Sequence, residues 1–543
     1  MDPIVQAELE RLEDSIPFRA VTGHRHQTWA RTFVSRPQLY LRPRSAAEIQ
    51  KIVTLARRCR QRLTVVGSGH SPSDLSCTSS WLINLDDFSA VIAIDPPAHV
   101  IVIQSGIRLR DLGTELQKHG LAMPNLGSID EQSIAGAIGT GTHGSSLSHG
   151  ILSQSVIGLR IMLANGRTVS CTAQQNPELF RAALVSLGAL GIITEITFRA
   201  VPAFHIEWNQ RIQPLDQVLT EWRTGLWTQA EYTRVWWLPY GKRAVVWRAE
   251  KTSKSVSTLP RTWYGGKIGF HTYQSLLYVA QWAPRLLPWI EWFVFGMQYG
   301  FRDGHVASAV EDGHKGLLMD CLYSQFVNEW AIPLEKGPEA LTRLSAWLNG
   351  DEQTAKIPVS SRGVFVHAPI EVRVTDSTAT APRPYLDNTA TNGPTLYLNA
   401  TLYRPYHADP PCRLPYYAAF EHLMKELGGR PHWAKNFLTV SHADLMHMYG
   451  DRLEDWLRVR DDADPDGMFV GDWHRRYLLA DDEGHRLPLE EKIVAITEQE
   501  EGGLLVEGAR ARDGMGLSML GSEESFDLMH GGEAQASAIL DYL

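Results

Sequence analysis

The sequence NLGSIDEQSIAGAIGTGTHGSS at residues 125–146, together with VVGSGHS at residues 65–71, is the most informative part of this chain. Both stretches are rich in glycine, and a backbone without Cβ atoms can bring its N–H groups close to a phosphate. The longer stretch also carries serine and threonine hydroxyls but no lysine or arginine. We therefore expect backbone dipoles and hydroxyl groups to hold a pyrophosphate there. The residues concerned are Gly127, Ser128, Ser133, Gly136, Gly139, Thr140, Gly141, Thr142 and Gly144.

Established nucleotide motifs fit these stretches poorly. The phosphate-loop pattern GxxxxGK[ST] does not occur in the sequence. GTGTHG at 139–144 approaches the dinucleotide pattern GxGxxG. No convincing crossover helix follows it, and no acidic residue stands about twenty positions further on. The glycine spacing alone is a weak signal, and the order of the surrounding elements is more informative.

Length and composition indicate a folded protein of at least two domains. The chain has 543 residues, of which 44% are hydrophobic and 21% charged, and such a length exceeds one hydrophobic core. A net charge of -9 without any basic block argues against a nucleic-acid partner. The five cysteines lack CxxC spacing, which favours reduced thiols in a cytosol-facing compartment. The acidic N-terminus resembles neither a secretory signal nor a basic presequence.

Hydrophobic periodicity predicts an α+β pattern between residues 33 and 204. Ser45 and Glu48 form a capping-box pattern for a helix to about Arg60. Asn165-Gly166 predicts a type I′ hairpin turn, and Asn176-Pro177 should start a helix through about residue 187. The other predicted elements are a helix at 109–119 and strands at 63–66, 81–85, 91–95, 100–105, 157–163, 168–171 and 192–199. The strands converge on the two glycine stretches, and the pattern is not a regular β-α-β alternation.

Shifts in composition predict the domain organisation. We expect an N-terminal segment at 1–32, a first α+β domain at 33–204 and a second at 205–440 with an aromatic insertion near 268–301. Residues 441–476 should form a C-terminal segment that completes the site. Residues 477–543 are acidic, glycine-rich and weakly periodic, so we expect them to be partly disordered.

Several motifs, taken in order, resemble those of the vanillyl-alcohol-oxidase-type flavoprotein family. They are VVGSGHS (65–71), NLGS (125–128), GTGTHGSS (139–146), SLGALGIIT (186–194), PIEVRV (369–374), RPHWAKNF (430–437) and DPDGMF (464–469). Within that family the chain is most similar to sugar-1,4-lactone oxidases, particularly the fungal D-arabinono-1,4-lactone oxidases, over about residues 20–476. The resemblance implies a two-part FAD-binding domain of the vanillyl-alcohol-oxidase type (also termed PCMH-type) and an α+β cap domain that binds substrate.

The resemblance also implies how FAD is held. The glycine stretch would bind its pyrophosphate, and His70 would be joined covalently to the flavin, whereas His143 would contact the cofactor without a covalent bond. Further residues implied to contact FAD are Gly67, Ser68, Gly69, Ser71, Gly188, Gly191 and Ile193. Gly127 occupies the family position beside the oxygen-reactive face of the flavin. It would leave room for O2 there or supply a positive φ, and both can hold.

The alternation in HAPIEVRVTD predicts a strand with Glu371 and Arg373 on one face. Such a pair is often only a surface ion pair. By resemblance, Glu371 would hydrogen-bond or deprotonate the substrate hydroxyl, and Arg373 would stabilise developing negative charge. Lys435 in HWAKNF would supply a second cation, unless it is simply a solvated loop lysine. His432 could orient the same site, and the pair Asn328-Glu329 also matches a family motif with less defined roles.

The resemblance implies oxidation of an aldono-1,4-lactone. D-arabinono-1,4-lactone would be oxidised at C2 and O2 reduced to hydrogen peroxide, in D-erythroascorbate synthesis. Alternatives are an L-gulono- or L-galactono-1,4-lactone oxidase, a dehydrogenase, an alditol oxidase, or a flavin-binding membrane-interaction protein without turnover. No metal is required, and the sequence has no HExxH or comparable ligand cluster.

The apolar stretch at 276–301 contains aromatic side chains that suit a membrane interface, among them Trp282, Trp289, Trp292 and Tyr299. Pro284, Pro288 and two charged residues interrupt it, so it is a poor spanning helix. Peripheral docking on a membrane and a helical hairpin packed on the cap remain two alternatives. The family's fungal members imply a mitochondrial membrane, with the cytosol-facing outer membrane as one candidate; the alternative location is the cytoplasm.

Overall fold

The structure is a computed structural model, and it describes residues 2–479 except 261–265, 320, 322, 368 and 391. Nearly all of the predicted acidic tail at 477–543 therefore lies outside the described residues. The α+β class predicted from the sequence is confirmed, because helices and strands alternate irregularly along the described chain.

Residues 2–204 form two sheets and five α-helices. In chain order the elements are α1 (Pro3–Leu9), β1 (Ala20–Val21), β2 (His26–Gln27), β3 (Val34–Ser35), β4 (Leu39–Leu41), α2 (Ala46–Arg58), β5 (Leu63–Val66), β6 (Trp81–Asn84), β7 (Val91–Asp95), β8 (Val100–Gln104), α3 (Leu109–Lys118), β9 (Leu121–Ala122), α4 (Ile134–Gly139), β10 (Val156–Met162), β11 (Thr168–Cys171), α5 (Pro177–Ala183), β12 (Ile192–Arg199) and β13 (Val201–Pro202). The first sheet has the order β1-β4-β6-β5, with β4 and β5 parallel to β6. The second is antiparallel with the order β11-β10-β12-β8-β7, and short pairs β2-β3 and β9-β13 complete the unit.

Helix α2 begins where the sequence predicted it. The Ser45 side chain accepts a hydrogen bond from the Glu48 backbone N–H, and the apolar side of the helix packs on the parallel sheet. Helix α5 ends at Ala183, so the predicted extension to residue 187 is wrong. Leu187 has a positive φ of 52°, and Gly188 follows at 75°; neither conformation continues a right-handed helix.

The predicted hairpin of β10 and β11 is present, but its turn is not type I′. Only Gly166 has a positive φ, of 79°, whereas a type I′ turn requires this at both central residues. The Gly166 N–H donates to the Leu163 carbonyl, and the Leu163 N–H donates to the Arg167 carbonyl. The turn is therefore a three-residue loop with glycine in the left-handed position.

The long glycine stretch is not entirely a loop. Its centre forms the short helix α4, and Ile134 and Ile138 of that helix are fully buried. Burial of these apolar side chains stabilises a short helix, although the glycines of the stretch favour a loop.

The remaining described residues build one large sheet and the helices around it. In chain order they are β14 (His205–Pro214), α6 (Leu215–Trp222), β15 (Tyr232–Leu238), β16 (Arg243–Thr252), α7 (Lys267–Ala280), α8 (Leu287–Tyr299), β17 (Val306–Asp312), α9 (Gly313–Gly316), β18 (Gln325–Pro333), α10 (Gly337–Leu348), α11 (Glu352–Ala355), β19 (Ile370–Thr375), β20 (Thr395–Tyr403), α12 (Arg413–Glu426), β21 (Arg430–Pro431), α13 (His442–Tyr449), α14 (Asp451–Ala463) and α15 (Asp472–Tyr477). The sheet is antiparallel with the order β17-β14-β16-β15-β19-β20-β18-β21.

The glycine stretch connects the two units through backbone hydrogen bonds. The Ser146 N–H donates to the Val374 carbonyl on β19 at 2.8 Å, and the Thr233 N–H on β15 donates to the Ser145 carbonyl at 3.2 Å. The Met319 N–H donates to the Ser128 carbonyl at 2.7 Å. These bonds fix one face of the large sheet directly over the glycine stretch.

The aromatic insertion is a helical hairpin of α7 and α8 that packs on the large sheet. Its inner face, including Leu277 and Ile290, is buried against Leu238 and Tyr323. Its outer face is exposed and includes Val279, Trp282, Leu286, Trp289 and Trp292. Within the described ranges, none of the helices combines the length and apolar character that crossing a bilayer requires.

Candidate active site

The two glycine stretches and residues 186–193 enclose a first cavity, here the glycine cavity. Most of the predicted cofactor residues line it, namely Gly67, Ser68, Gly69, His70, Ser71, Ser133, Gly136, Gly139, Thr140, Gly188, Gly191 and Ile193. Phe469 and His474 close it from the C-terminal segment, and the His474 ring is held by the Leu187 carbonyl at 2.8 Å.

Gly67 and Ser133 bring the two stretches into contact. The Ser68 N–H donates to Ser133 Oγ at 3.1 Å, and Asn84 Nδ2 donates to the Gly67 carbonyl at 3.2 Å. A Cβ atom on Gly67 would lie 2.1 Å from Ser133 Oγ. Only glycine permits this approach, which leaves backbone and hydroxyl donors facing the cavity.

His70 stands between the glycine cavity and a second, larger one. Burial lowers the pKa of His70 to about 3, with the nearby Arg108 cation lowering it further, so the imidazole is neutral at pH 7. Its Nδ1 atom is buried without a hydrogen-bond partner among the described residues, and its ring stacks on Trp29 with 5.1 Å between centroids. A neutral ring nitrogen with an unused lone pair or proton suits a contact to a cofactor that extends through both cavities.

The second cavity, here the charged cavity, has a volume of about 530 Å³. It lies between the glycine stretch and the large sheet, and His70 lines it as well. The predicted catalytic and cofactor residues that line it are Gly127, Ser128, Thr142, His143, Glu371, Arg373 and Lys435. Ser128 and Lys435 are 307 positions apart in the sequence, and His70 and Lys435 are 365 positions apart, so only the fold brings them to one cavity.

A buried network centres on Glu329 of β18. Its carboxylate pairs with the Arg373 guanidinium at 2.5 Å and with Lys435 Nζ at 3.7 Å. Burial would raise the pKa of Glu329, but Arg373 and Lys435 hold it well below its usual value. Burial likewise opposes the charge of Arg373, yet Glu329 and Glu371 raise its pKa above the usual value. Both groups are therefore ionised, and Glu329 fixes the position of the Arg373 side chain.

The polar contacts of Glu371 with other described side chains are long. One oxygen lies 3.5 Å from Ser128 Oγ and 3.6 Å from Arg373 Nε, and the other lies 3.5 Å from Asn399 Nδ2. The carboxylate thus retains capacity to accept a short hydrogen bond from a ligand. Both Glu371 and Arg373 are buried, so the alternative of a surface ion pair is wrong. The Lys435 side chain is 22% exposed and faces the cavity, so the alternative of a solvated loop lysine is also wrong.

Two histidines complete the network. His143 stacks on Tyr397 with 3.4 Å between centroids, and its Nε2 lies 3.3 Å from Glu329. Burial lowers the pKa of both His143 and His432; the Arg373 cation adds to this for both rings, and Lys435 adds to it for His432. Candidate ligand atoms of His143, Glu329 and His432 lie within 4.8 Å of one another. A divalent ion there would be repelled by Arg373 and Lys435, because the single charge of Glu329 balances only one of these two cations.

Some predicted residues lie elsewhere or act differently. Gly141 and Gly144 line neither the glycine cavity nor the charged cavity; Gly141 has a φ of 74°, and a Cβ on Gly144 would lie 2.0 Å from Asn125. Gly127 does not have a positive φ, so that explanation of its occurrence is wrong. Asn328 points away from the charged cavity and donates to Glu421 at 2.6 Å.

Arg234 and Asn399 also line the charged cavity, although no motif in the sequence indicated either residue. Arg234 is the single charged residue in β15, whose residues Tyr232–Leu238 are otherwise uncharged and all buried. Charged side chains are rarely buried without a functional or structural role, so a single arginine in an apolar strand could have indicated a site residue.

Comparison with known proteins agrees with this arrangement. Residues 37–172 match a family described as FAD binding domain. The fold is shared with cholesterol oxidase from Brevibacterium sterolicum, at a TM-score of 0.70 and 12% identity, covering 86% of this chain and 98% of that one. A xylooligosaccharide oxidase from Myceliophthora thermophila is also similar, at a TM-score of 0.63 and 15% identity, covering 89% and 100% of the two chains. Fold and site together define an FAD-dependent oxidase.

The family follows from the sequence relatives. Residues 196–477 match the family described as D-arabinono-1,4-lactone oxidase. A Neurospora crassa protein is 52% identical over 533 residues, covering 94% of this chain and of that protein. The D-arabinono-1,4-lactone oxidase of Yarrowia lipolytica is 42% identical, covering 82% of this chain and 95% of that protein. That of Candida albicans is 37% identical, with coverages of 82% and 94%. This chain belongs to the D-arabinono-1,4-lactone oxidase family.

Proposed function

We propose that this chain oxidises D-arabinono-1,4-lactone at C2 and reduces O2 to hydrogen peroxide, as a step in D-erythroascorbate synthesis. The observation that carries the proposal is the buried Glu371–Arg373 pair in a cavity that His70 also lines. The names of the relatives supply the substrate class. FAD, when bound, accepts the hydride from the substrate carbon and passes both electrons to O2.

The side chains of the charged cavity would accept the substrate proton and stabilise the charge that develops on the substrate. Glu371 accepts the hydrogen bond, and then the proton, of the substrate hydroxyl, because its carboxylate has no short contact to another described residue. Arg373, held by Glu329, stabilises the negative charge that develops on the substrate oxygen. Lys435, which pairs with Glu329 at 3.7 Å, adds a second cation to the site. Gly127 lines the charged cavity and adds no side chain of its own to the wall, which supports access of O2; a Cβ there would lie 3.0 Å from Thr142 Cγ2.

A substrate panel tests this proposal. The FAD-loaded protein should form peroxide from D-arabinono-1,4-lactone faster than from L-galactono-1,4-lactone, L-gulono-1,4-lactone or D-arabinitol, with one O2 consumed per lactone oxidised. Faster turnover of an alditol would contradict the proposed substrate class. Lactone oxidation with a dye but without peroxide formation would show a dehydrogenase instead.

We also propose that FAD is covalently attached through His70. The neutral ring, its Nδ1 without a partner and its position at both cavities support this. Acid precipitation of the wild-type protein should leave the yellow colour with the chain. The variant His70→Ala should release its flavin into the supernatant. The control variant His119→Ala changes an exposed histidine directly after α3 and should retain its flavin. Release of flavin from the wild type by acid would contradict the covalent bond.

The outer face of the α7–α8 hairpin supports a proposal of peripheral membrane docking. Trp282, Trp289 and Trp292 are each at least half exposed, and the exposed Arg285 lies between them. Indole rings partition into the bilayer interface, and a basic residue is attracted to anionic lipid. We propose that this face binds a mitochondrial membrane, with the cytosol-facing outer membrane as the first candidate; the cytoplasm is the alternative location.

Vesicle sedimentation tests this docking. The wild type should sediment with vesicles of phosphatidylcholine and cardiolipin, and the triple variant W282S/W289S/W292S should remain in the supernatant at unchanged activity. A control variant with Val21→Ser and Ile92→Ser, at exposed apolar positions of the first unit, should bind like the wild type. Equal sedimentation of the triple variant would contradict docking through this face, and fractionation of cells would decide the membrane.

A further inference from the structure

We propose that Arg234 recognises the carbonyl oxygen of the lactone and thereby selects lactones over substrates that lack this group. This inference rests on the proposed function, since it assigns a binding partner within the same cavity. Arg234 belongs to none of the sequence motifs and is not part of the Glu371–Arg373 pair.

Arg234 is a buried cation that forms no ion pair with a carboxylate in the part of the chain that the structure describes. Its side chain is 2% exposed, and it lines the charged cavity. Among the described residues its only hydrogen bond is from Nη2 to the Leu317 carbonyl, and Nε is buried without a partner. The guanidinium lies against the Trp247 ring, 5.3 Å from its centroid. A guanidinium has five N–H donors and no acceptor, so most of its capacity is unused.

The charges that line the cavity also leave the positive charge of Arg234 without a compensating carboxylate. The cations that line the cavity are Arg234, Lys315, Arg373 and Lys435, and the carboxylates are Glu311, Glu329 and Glu371. Positive groups thus outnumber negative ones by one, and Glu329 is already shared by Arg373 and Lys435. Burial lowers the pKa of Arg234 to about 10, which leaves it charged at neutral pH. Such a group gains most from an acceptor on a ligand.

The sheet places Arg234 beside the reacting pair. Strand β15 pairs with β19 so that Trp236 stands opposite Glu371 and Val235 opposite Val372. Side chains alternate along a strand, so Arg234 and Trp236 share the face that carries Glu371 and Arg373. Neighbouring strands are about 4.8 Å apart, so a small ring bound to Glu371 also reaches Arg234.

The chemistry of an aldonolactone matches these two positions. Its C2 hydroxyl is a donor and suits the Glu371 carboxylate. The adjacent C1 carbonyl oxygen accepts hydrogen bonds only, and it requires a donor at the neighbouring place, which Arg234 provides. A cyclic ether with a methylene group in place of the carbonyl offers no acceptor there, so the guanidinium would stay unsatisfied in a buried site. A site with an unpaired buried donor discriminates strongly against such analogues.

A matched pair of unreactive ligands isolates the carbonyl contact. The first is 2-deoxy-D-erythro-pentono-1,4-lactone, which is D-arabinono-1,4-lactone without its reacting hydroxyl. The second is 1,4-anhydro-2-deoxy-D-erythro-pentitol, in which a methylene group replaces the carbonyl. Dissociation constants for both are measured by flavin absorbance on FAD-loaded wild type, Arg234→Met, Arg234→Lys and the control Arg248→Met. Arg248 lies on β16, pairs with Glu221 and does not line the charged cavity.

The wild type and Arg248→Met should prefer the lactone by about tenfold or more, as expected for a charge-assisted hydrogen bond. Arg234→Met should bind both ligands within about threefold of each other, and Arg234→Lys should retain only part of the preference. The same preference in wild type and in the Arg234 variants would overturn the inference, as would a wild type without any preference. If Arg234→Met fails to fold or load FAD, the comparison of Arg234→Lys with wild type decides between these outcomes.

The proposed function is checked on the same preparations. A wild type that forms peroxide from D-arabinono-1,4-lactone but keeps its carbonyl preference after loss of Arg234 would refute the role of Arg234 alone. A wild type that oxidises no aldonolactone would refute the proposed function and the inference together.

Discussion

The contact between Gly67 and Ser133 makes a sharp prediction for the variant Gly67→Ala. A Cβ at Gly67 would lie 2.1 Å from Ser133 Oγ and 2.6 Å from Ser133 Cβ. Both distances fall well inside the 3.4 Å at which ordinary contact begins. The two glycine stretches must therefore separate, and the hydrogen bond from the Ser68 N–H to Ser133 Oγ, now 3.1 Å long, is lost.

The magnitude follows from these two effects. Overpacking of this kind costs about 1–3 kcal/mol, and the lost hydrogen bond about 1 kcal/mol. Gly67→Ala should thus lower the free energy of unfolding by about 2–4 kcal/mol. Because Gly67 lacks a positive φ, backbone strain does not contribute. The FAD content should fall as well, since Gly67 and Ser133 line the glycine cavity.

A second substitution separates this clash from other causes. Ser133→Gly removes both atoms that the new Cβ would meet, so the double variant G67A/S133G should recover most of the stability lost in Gly67→Ala. The expected coupling free energy between the two positions is about 2 kcal/mol. Gly158→Ala is the control, because its Cβ would meet Thr197 at an ordinary 3.4 Å, and its stability should stay within about 1 kcal/mol of wild type.

Urea unfolding followed by tryptophan fluorescence measures these free energies, and flavin absorbance measures the FAD content. Additive losses in the double variant, or a Gly67→Ala variant as stable as Gly158→Ala, would refute the proposed contact between the two stretches.

Three further predictions concern carboxylates. Glu371→Gln should slow flavin reduction by the lactone about 100-fold or more at unchanged FAD content, and an unchanged stopped-flow rate would remove Glu371 from its role. Glu329→Gln removes the nearer of the two buried carboxylates that pair with Arg373 and should lower the free energy of unfolding by about 3–5 kcal/mol in urea; an unaltered midpoint would contradict this. Burial raises the pKa of Glu291 on α8 to about 8, so the folded state binds its proton more tightly than the unfolded state does. The stabilisation is complete below the unfolded pKa and is lost as pH rises toward 8, by roughly 2–4 kcal/mol between pH 5 and 8.5. Glu291→Gln should show a smaller loss in urea melts at the two pH values, and equal losses in both proteins would contradict the assignment.

Local patterns in the sequence predicted much of the fold. The cap at Ser45, the hairpin of β10 and β11 and the strand that carries Glu371 all follow from spacing over a few residues. Helix α4 was missed because its glycines lower helix propensity, and burial of Ile134 against the core reverses that preference. The turn at Asn165-Gly166 was assigned the wrong type because loop length, rather than the dipeptide alone, selects the turn.

Local patterns also predicted part of the site. Motif order pointed to His70 and the Glu371–Arg373 pair, but it did not distinguish Glu329, which faces the cavity, from Asn328, which points to the opposite side of β18. Arg234 carried no motif at all. Its importance depends on which strands neighbour β15, and the spacing of residues along the chain does not contain that information.

What the sequence by itself determined is local: the positions where a Cβ atom is excluded, and the alternation that puts Glu371 and Arg373 on one face of a strand. The tertiary structure decided which charges meet. Glu329, Arg373 and Lys435 come from β18, β19 and the loop after β21, and the sheet order β19-β20-β18-β21 brings them together. The physical reason is that backbone conformation responds to neighbours along the chain, whereas burial and Coulomb interactions depend on distances in space that are established only when the sheet has formed.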